Sequence, residues 1–313
     1  MKVETLFSTK SCYREPLRIE GYRFGSGTKS ACIVGGLRGN EIQQVYVCSQ
    51  LIRELKELER RGAIVKNHEI LVVPCVNRFS MNVGKRFWAV DNTDINRMFP
   101  GDASGETTQR IADSLFQQVQ GYSYGIHFAS FYMPGDFVPH VRMMDTGYQT
   151  TSLGSLFGLP FVVVRKPRPI DTKTLNYNWQ LWNSNAFSVY TNETDCIDET
   201  SARQAVTAVL RFLTRTGILH YNCHSGYMAS VIQEDNLSTI LTDAGGIYRR
   251  HKHPGDAVLR GDLMAEILDP CSGEVLSEIR SPTDGVLFFA HKAPLVLQNT
   301  VAYRLIRRMR GSF

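Results

Sequence analysis

Four places along the chain carry side chains whose types and spacing suit chemistry. The first is Gly35-Gly36-Leu37-Arg38-Gly39-Asn40-Glu41. Glu41 opens a helix directly after a strand and a glycine-rich turn, where a carboxylate either complements the helix N-terminus or faces a ligand. The second is Asp94-Ile95-Asn96-Arg97-Met98-Phe99-Pro100-Gly101. Its adjacent Asn96 and Arg97, closed by a Pro-Gly turn, read as a polar clamp for a carboxylate, which a guanidinium fork binds bidentately. Arg86 lies just upstream, so two arginines either converge on one anionic ligand or form two surface ion pairs. The third is His127, at the end of Tyr124-Gly125-Ile126-His127, which reads as a satisfied core or edge histidine or as a ligand. The fourth, Tyr190-Thr191-Asn192-Glu193-Thr194-Asp195, is a polar cluster that also fits ordinary turn chemistry. There is no nucleophile elbow, Walker loop or dinucleotide fingerprint, and Gly25-Ser26-Gly27 is too short for a phosphate loop.

The elements that must position these residues follow from hydrophobic periodicity. After a glycine-rich, turn-prone start, Ala31–Val34 reads as a buried strand running into the Arg38 loop. Ile42, Val45, Cys48, Leu51, Ile52, Leu55 and Leu58 recur at helical spacing, and Gly62 supplies a stop. Strands are expected over 69–76, 161–164 and 187–190, with helices over 102–119 and 199–213. Strands alternating with helices imply an α/β domain with a largely parallel sheet. Ligands bind such sheets at the carboxyl ends of the strands, where the Arg38–Glu41 loop, the 77–100 segment and the stretch after Tyr190 should emerge. After about Asn222 the pattern changes to short β-like runs split by turns such as Pro254-Gly255-Asp256 and Arg260-Gly261-Asp262. The expected division is therefore an α/β domain over 1–222 and a small all-β domain over 223–313.

Composition sets the outer bounds. With 313 residues, 43% hydrophobic and 21% charged, the chain is neither disordered nor collagen-like nor a coiled coil. Its net charge of +5 is small and scattered, so no nucleic-acid partner is expected. Only the tail, with Arg304, Arg307, Arg308 and Arg310, is locally basic, and it reads as a solvated helix face. No apolar run approaches the roughly 20 residues that span a bilayer. Met1–Glu4 leads into no signal-peptide core, so no membrane partner and a cytoplasmic location are expected. The seven cysteines are odd in number, widely spaced and without a CxxC, which reads as buried reduced thiols. The expected partner is a small carboxylate ligand, with assembly into a homo-oligomer also expected.

Taken in order, the Gly35–Glu41 stretch, Arg86, Asp94–Gly101 and His127 resemble the succinylglutamate desuccinylase/aspartoacylase family of zinc carboxypeptidase-like hydrolases. Phe157-Gly158-Leu159-Pro160, the helix from Ser201 to Leu213, and the turns at Pro254–Val258, Gly261-Asp262 and Ser281–Gly285 extend the likeness over most of the chain. The resemblance implies a mixed carboxypeptidase-like sheet flanked by helices and a barrel-sandwich-like C-terminal β domain similar to the lipoyl or biotinyl carrier fold. Nothing near Pro282–Gly285 looks like a modifiable lysine, so no carrier role is expected.

The resemblance also implies roles. Such enzymes hold zinc with a His and a Glu three residues apart and a distant His. The metal acidifies a water, and a late-strand Glu is the general base. The matching metal positions here are Glu41 and His127. Substrate binding falls to Arg38, Arg86, Asn96, Arg97 and Arg142, and catalysis to Tyr190 with Glu193 as a substitute base. Two positions depart from the pattern. Arg38 stands where the first His ligand belongs, and a guanidinium has no lone pair for a metal. Tyr190 stands where the general base belongs, and a phenol is ordinarily protonated at pH 7. His140, His220 or His224 would have to repair the metal set, and Glu193 or Asp195 the base. Two functions are therefore expected from opposite directions. One is hydrolysis of a small N-acylated amino acid through a rebuilt zinc site. The other is a metal-free relative that binds a carboxylate, with Arg38 paired to Glu41 in the metal's place.

Overall fold

The computed structural model describes residues 1–10 and 15–307; Cys12, Arg308 and Arg310 lie outside the described residues. In chain order the first elements are β1 (Lys2–Thr9), β2 (Leu17–Gly25), β3 (Gly27–Val34), α1 (Ile42–Arg60), β4 (Asn67–Val73), α2 (Arg78–Asn82) and α3 (Thr107–Val119). There follow β5 (Tyr124–Ala129), β6 (Gly135–Phe137), β7 (His140–Met144), β8 (Phe161–Arg165), α4 (Leu175–Leu181), β9 (Asn185–Tyr190), α5 (Glu199–Arg215) and β10 (Ser230–Gln233). Nine strands form one sheet in the order β1-β2-β4-β3-β5-β9-β7-β8-β10. Its centre, β4-β3-β5-β9, is parallel. The flanks are mixed, because β2 runs antiparallel to β4 and β7 antiparallel to β9.

Each face of this sheet carries its own core, as strand alternation requires. Ile33, Ile126, Phe128, Phe187 and Val189 pack with Val47, Leu51 and Leu55 of α1 and Val209 and Phe212 of α5. Cys32, Val34 and Ala186 pack with Ile111 and Leu115 of α3 and Trp179 of α4. Each large side chain buried this way contributes about 1.5–3 kcal/mol of transfer free energy. The chain's start is not a run of turns: β1 and β2 pair into the sheet's edge. The helix expected from residue 102 begins at Thr107, because Glu106 and Gln109 form a capping box that fixes the start there. Asp102 instead closes a tight turn by accepting from the Ser104 N–H at 2.9 Å. The strand expected to reach Val76 stops at Val73, since Val76 and Asn77 donate to the Gly36 carbonyl at 3.0 and 2.8 Å.

The second unit consists of Phe131–Val138 and the chain from Ile232 onward. It is all β: β11 (Ser238–Leu241), β12 (Gly246–Arg250), β13 (Ala257–Val258), β14 (Leu263–Leu268), β15 (Val275–Arg280), β16 (Gly285–His291), β17 (Leu295–Val296) and β18 (Val301–Arg307). One sheet runs β11-β18-β16-β13 with β6 added to β16, and the other β15-β14-β12-β17. Met264, Ile267, Leu287, Ala302, Tyr303 and Leu305 form its core. Residues 223–231 belong with the first unit, where Arg211 and Arg215 of α5 donate to the carbonyls of His224 and Ser225 at 2.7 and 2.5 Å. The tail is not helical over its described part: Arg304 and Arg307 lie on β18, and Arg304 pairs with Glu234 at 3.4 Å. Among the described residues all six cysteines are free thiols, and no helix is long and apolar enough to cross a membrane.

Candidate functional site

The site is assembled at the carboxyl ends of β3, β5 and β9. Beyond β3 the chain turns at Gly36, whose φ of +55° is left-handed, and reaches Gly39. A side chain at Gly39 would meet the Lys85 carbonyl at 2.2 Å. That close approach, with the Gly39 N–H donating to the Arg86 carbonyl at 2.8 Å, brings the Arg86 segment against the Arg38 loop.

Glu41 sits at the N-cap of α1 but makes no capping hydrogen bond with its side chain. Fully buried, its carboxylate faces back toward the turn. Oε2 accepts from the Arg38 N–H at 3.0 Å, and Oε1 from Arg38 Nη1 at 3.3 Å and from Ser130 Oγ at 2.5 Å. The same guanidinium donates from Nη2 and Nε to Asp94 Oδ2 at 2.8 and 3.2 Å. Arg38 is 6% exposed, so one buried cation lies between two carboxylates. Burial opposes its charge, but Asp94 and Glu41 outweigh burial and hold its pKa above the ordinary arginine value.

Asp94 has a second task. Its Oδ1 accepts from the Asn96 N–H at 3.0 Å, starting the short 3₁₀ turn Ile95–Arg97. Asn96 Oδ1 accepts from the N–H of Leu175 at the start of α4, at 3.0 Å. Arg97 Nη1 donates to the Asn96 carbonyl at 2.9 Å. Arg86 and Arg97 both have pKa values lowered by burial, and each lies within electrostatic reach of Arg38 and of the other.

Cross-strand register lays the floor of the site. Val34, His127, Ser188, Arg142 and Val163 are successive neighbours across β3, β5, β9, β7 and β8. The row above contains Ala129, Tyr190 and His140. The Tyr190 and His140 rings stack at 4.8 Å and 5°, and the Arg142 guanidinium lies over the Tyr190 ring at 4.9 Å. Arg38, Glu41, Arg86, Asn96, Arg97, His127, Arg142 and Tyr190 are thus parts of one neighbourhood. The Glu193 carbonyl accepts from Thr191 Oγ1 and Gln44 Nε2 at 2.8 and 3.3 Å. Its carboxylate lies with Asp195 and Cys196, ligand atoms within 4.8 Å of one another.

His127 is 2% exposed, and its pKa falls to about 3 through burial first and then the nearby Arg38 and Arg97 charges. The folded imidazole therefore stays neutral, while in the unfolded chain it gains a proton below about pH 6.5. The unfolded state binds more protons over that window. Its stabilisation is present in full above pH 6.5 and is lost as pH falls toward 3. Chemical denaturation should show His127→Gln losing about 3 kcal/mol less than the unaltered chain between pH 6.5 and 4; identical slopes would contradict this placement.

The residues do not fit a catalytic zinc. Both Glu41 oxygens are engaged by Arg38 and Ser130, and a guanidinium has no lone pair to offer. Among the described residues, no group of three His, Cys, Asp or Glu ligand atoms within 4.8 Å includes Glu41 or His127, so His140, His220 and His224 do not complete the set. Ser130 and Ser188 were not anticipated from sequence. Ser130 lies just past β5, and only the register, which sets Ser188 beside His127, points to the other.

This geometry defines an α/β domain with a mixed nine-stranded sheet and a buried, arginine-rich site at its strand ends, and comparison with known proteins places it further. The profile of the succinylglutamate desuccinylase/aspartoacylase catalytic domain matches residues 27–213, more than half of the chain. The chain belongs to that family. A succinylglutamate desuccinylase from a Silicibacter species superposes with a TM-score of 0.79 at 19% identity, covering 95% of this chain and 91% of the other. The product-bound ectoine utilization protein EutE (DoeB) from Ruegeria pomeroyi gives 0.77 at 18% identity, with 93% and 89% covered. An N-alpha-acetyl-L-2,4-diaminobutyric acid deacetylase from Halomonas elongata is 24% identical over 279 residues, 82% of this chain and 76% of that one. These likenesses bear out the expected family and fold class.

Proposed function

We propose that this protein is a metal-free member of its deacylase family that binds a small N-acylated amino acid or related carboxylate and does not hydrolyse it. The observation that carries this reading is the Arg38 guanidinium, buried between Glu41 and Asp94 where the resemblance calls for a zinc ligand. A catalytic zinc takes three protein ligands and a water, and a second cation about 4 Å away would oppose it by several kcal/mol at intermediate dielectric. The base position carries a phenol instead of a carboxylate. What the site retains is anion binding. Arg38 is held by its two carboxylates, and Arg97, whose Nη1 donates to the Asn96 carbonyl, would be the guanidinium that meets a ligand carboxylate. Asn96, its Oδ1 committed to Leu175, presents its NH₂ as a donor.

Metal analysis and calorimetry test this together. The purified chain should carry under about 0.1 zinc per molecule, against one for an enzyme with a filled site. N-acetyl-L-aspartate should bind equally with and without EDTA and release no acetate. Arg97→Met should weaken binding by about 30-fold or more, the size of a lost buried charge contact. Near-stoichiometric zinc, or turnover abolished by the chelator, would establish the hydrolase reading instead.

A further inference from the structure

The outer face of the β15-β14-β12-β17 sheet departs from the pattern that water imposes. Strand alternation sends Tyr248, Ile267 and Val296 into the core of the β unit. An antiparallel sheet with one wet face should then carry polar residues at the positions between them. Cross-strand register instead lays an apolar row there. Leu295, Ile247, Leu268 and Val275 are successive neighbours across β17, β12, β14 and β15. Leu295 is 66% exposed, Val275 48% and Ile247 38%. The register shift opposite Ile267 and Leu268 leaves one extra residue in β15, and that residue, Leu276, is half-exposed as well. A bulge of this kind turns a second apolar side chain outward. The row runs from one edge of the sheet to the other, and contiguous exposed apolar surface marks an interaction site.

The bordering charges say what covers it. The next outward row is Arg249, Glu266 and Glu278 on β12, β14 and β15. Arg249 donates to Glu266 at 2.6 Å and Arg280 to Glu278 at 2.7 Å. The border is therefore balanced within the chain and draws neither a nucleic acid nor an anionic bilayer. It does match itself. A two-fold axis parallel to the strands, between β12 and β14, sets Ile247 over Leu268 of the second copy and Leu295 over its Val275. The same axis sets Arg249 over Glu266 of the second copy. Both rows are then complementary to themselves, as an isologous interface requires, and two sheets pack face to face about 10 Å apart. We propose that this face is the self-association surface of the protein, joining two copies sheet to sheet.

Sedimentation of the full chain over a range of concentrations tests this, and the unaltered protein should have the mass of two chains. Ile247→Glu places a carboxylate near the centre of the row twice per dimer and should weaken association by about 100-fold or more. Leu295→Gln, at the edge of the row, should weaken it by about tenfold. Val83→Glu, at an exposed apolar position of the first unit, should leave the dimer unchanged. Should Ile247→Glu fail to fold, Leu295→Gln decides, since its side chain is already mostly in water. A chain that remains single at about 100 µM, where even a weak dimer is populated, would overturn the proposal. A dimer that neither substitution in the row weakens would also overturn it. A single chain that floats with phosphatidylglycerol vesicles would do the same, and would assign the face to a bilayer.

Discussion

The Arg38→His, Tyr190→Glu double variant is expected to bind zinc near stoichiometrically and to release acetate from N-acetylated amino acids, which on the metal-free reading the unaltered chain is not expected to do. Arg38 and Glu41 lie on one turn, closed by the Glu41 N–H to the Arg38 carbonyl at 3.2 Å, so an imidazole at position 38 falls beside the Glu41 carboxylate. Removing the guanidinium frees Glu41 Oε1 and Asp94 Oδ2 from their ion pairs. Asp94 then becomes available to orient the new imidazole, as carboxylates beside metal-bound histidines do. With His127 this makes three ligands, the number a catalytic zinc needs. Arg38→His alone should gain the metal with little turnover, because the base position still carries a phenol. Adding Tyr190→Glu should raise the rate by about 10²–10⁴-fold, the contribution of a positioned general base. Tyr190→Glu alone should gain neither. Metal content and acetate release measure all four proteins, and a double variant that folds yet takes up no zinc would show that positions beyond these two separate this site from a working one.

Much of this site is legible in the sequence because it is built from short segments with strong local signals. The Gly35–Glu41 turn, the Asn96-Arg97 pair and His127 each announce themselves by residue type, and the strands and helices that carry them follow from periodicity. What the sequence conceals is pairing at a distance. Asp94 was visible only as the start of a motif, yet 56 residues away it takes two of the three hydrogen bonds that the Arg38 guanidinium makes to the two carboxylates. Ser130 on Glu41, and the His140–Tyr190–Arg142 stack, depend on strand register, which no single-strand pattern encodes. The tail misleads for a related reason. Val301–Arg307 forms a strand, but Arg304 and Arg307 recur three residues apart, as on a solvated helix face, until the pairing with β11 and β16 is seen.

The substitutions at the site are coherent as a set. On the metal-free reading, the Arg38 guanidinium between Glu41 and Asp94 supplies the positive charge that a metal cation would otherwise supply. The Tyr190 ring, stacked on His140 and within reach of the Arg142 guanidinium, stands where the resemblance implies the base.

That coherence makes a strong prediction about stability. Asp94→Asn should destabilise the chain by about 3–5 kcal/mol, because it removes one partner of a buried ion pair and leaves the other charge without full compensation. The substitution isolates the charge, since an asparagine Oδ1 can still accept the Asn96 N–H that Asp94 Oδ1 now accepts at 3.0 Å. Arg38→Met removes the cation and keeps much of its aliphatic volume. It should also destabilise, because Glu41 and Asp94 are then two carboxylates facing each other with little solvent. Arg38→Met combined with Asp94→Asn leaves a single buried carboxylate that still receives the Arg38-position N–H and Ser130 Oγ, and it should lose far less than the sum of the single losses. Urea denaturation of the four proteins completes a double-mutant cycle. The expected coupling is about 2 kcal/mol or more, within the range for contacting charged groups. Strict additivity would mean that Arg38 and Asp94 do not share the buried pair on which the metal-free reading depends.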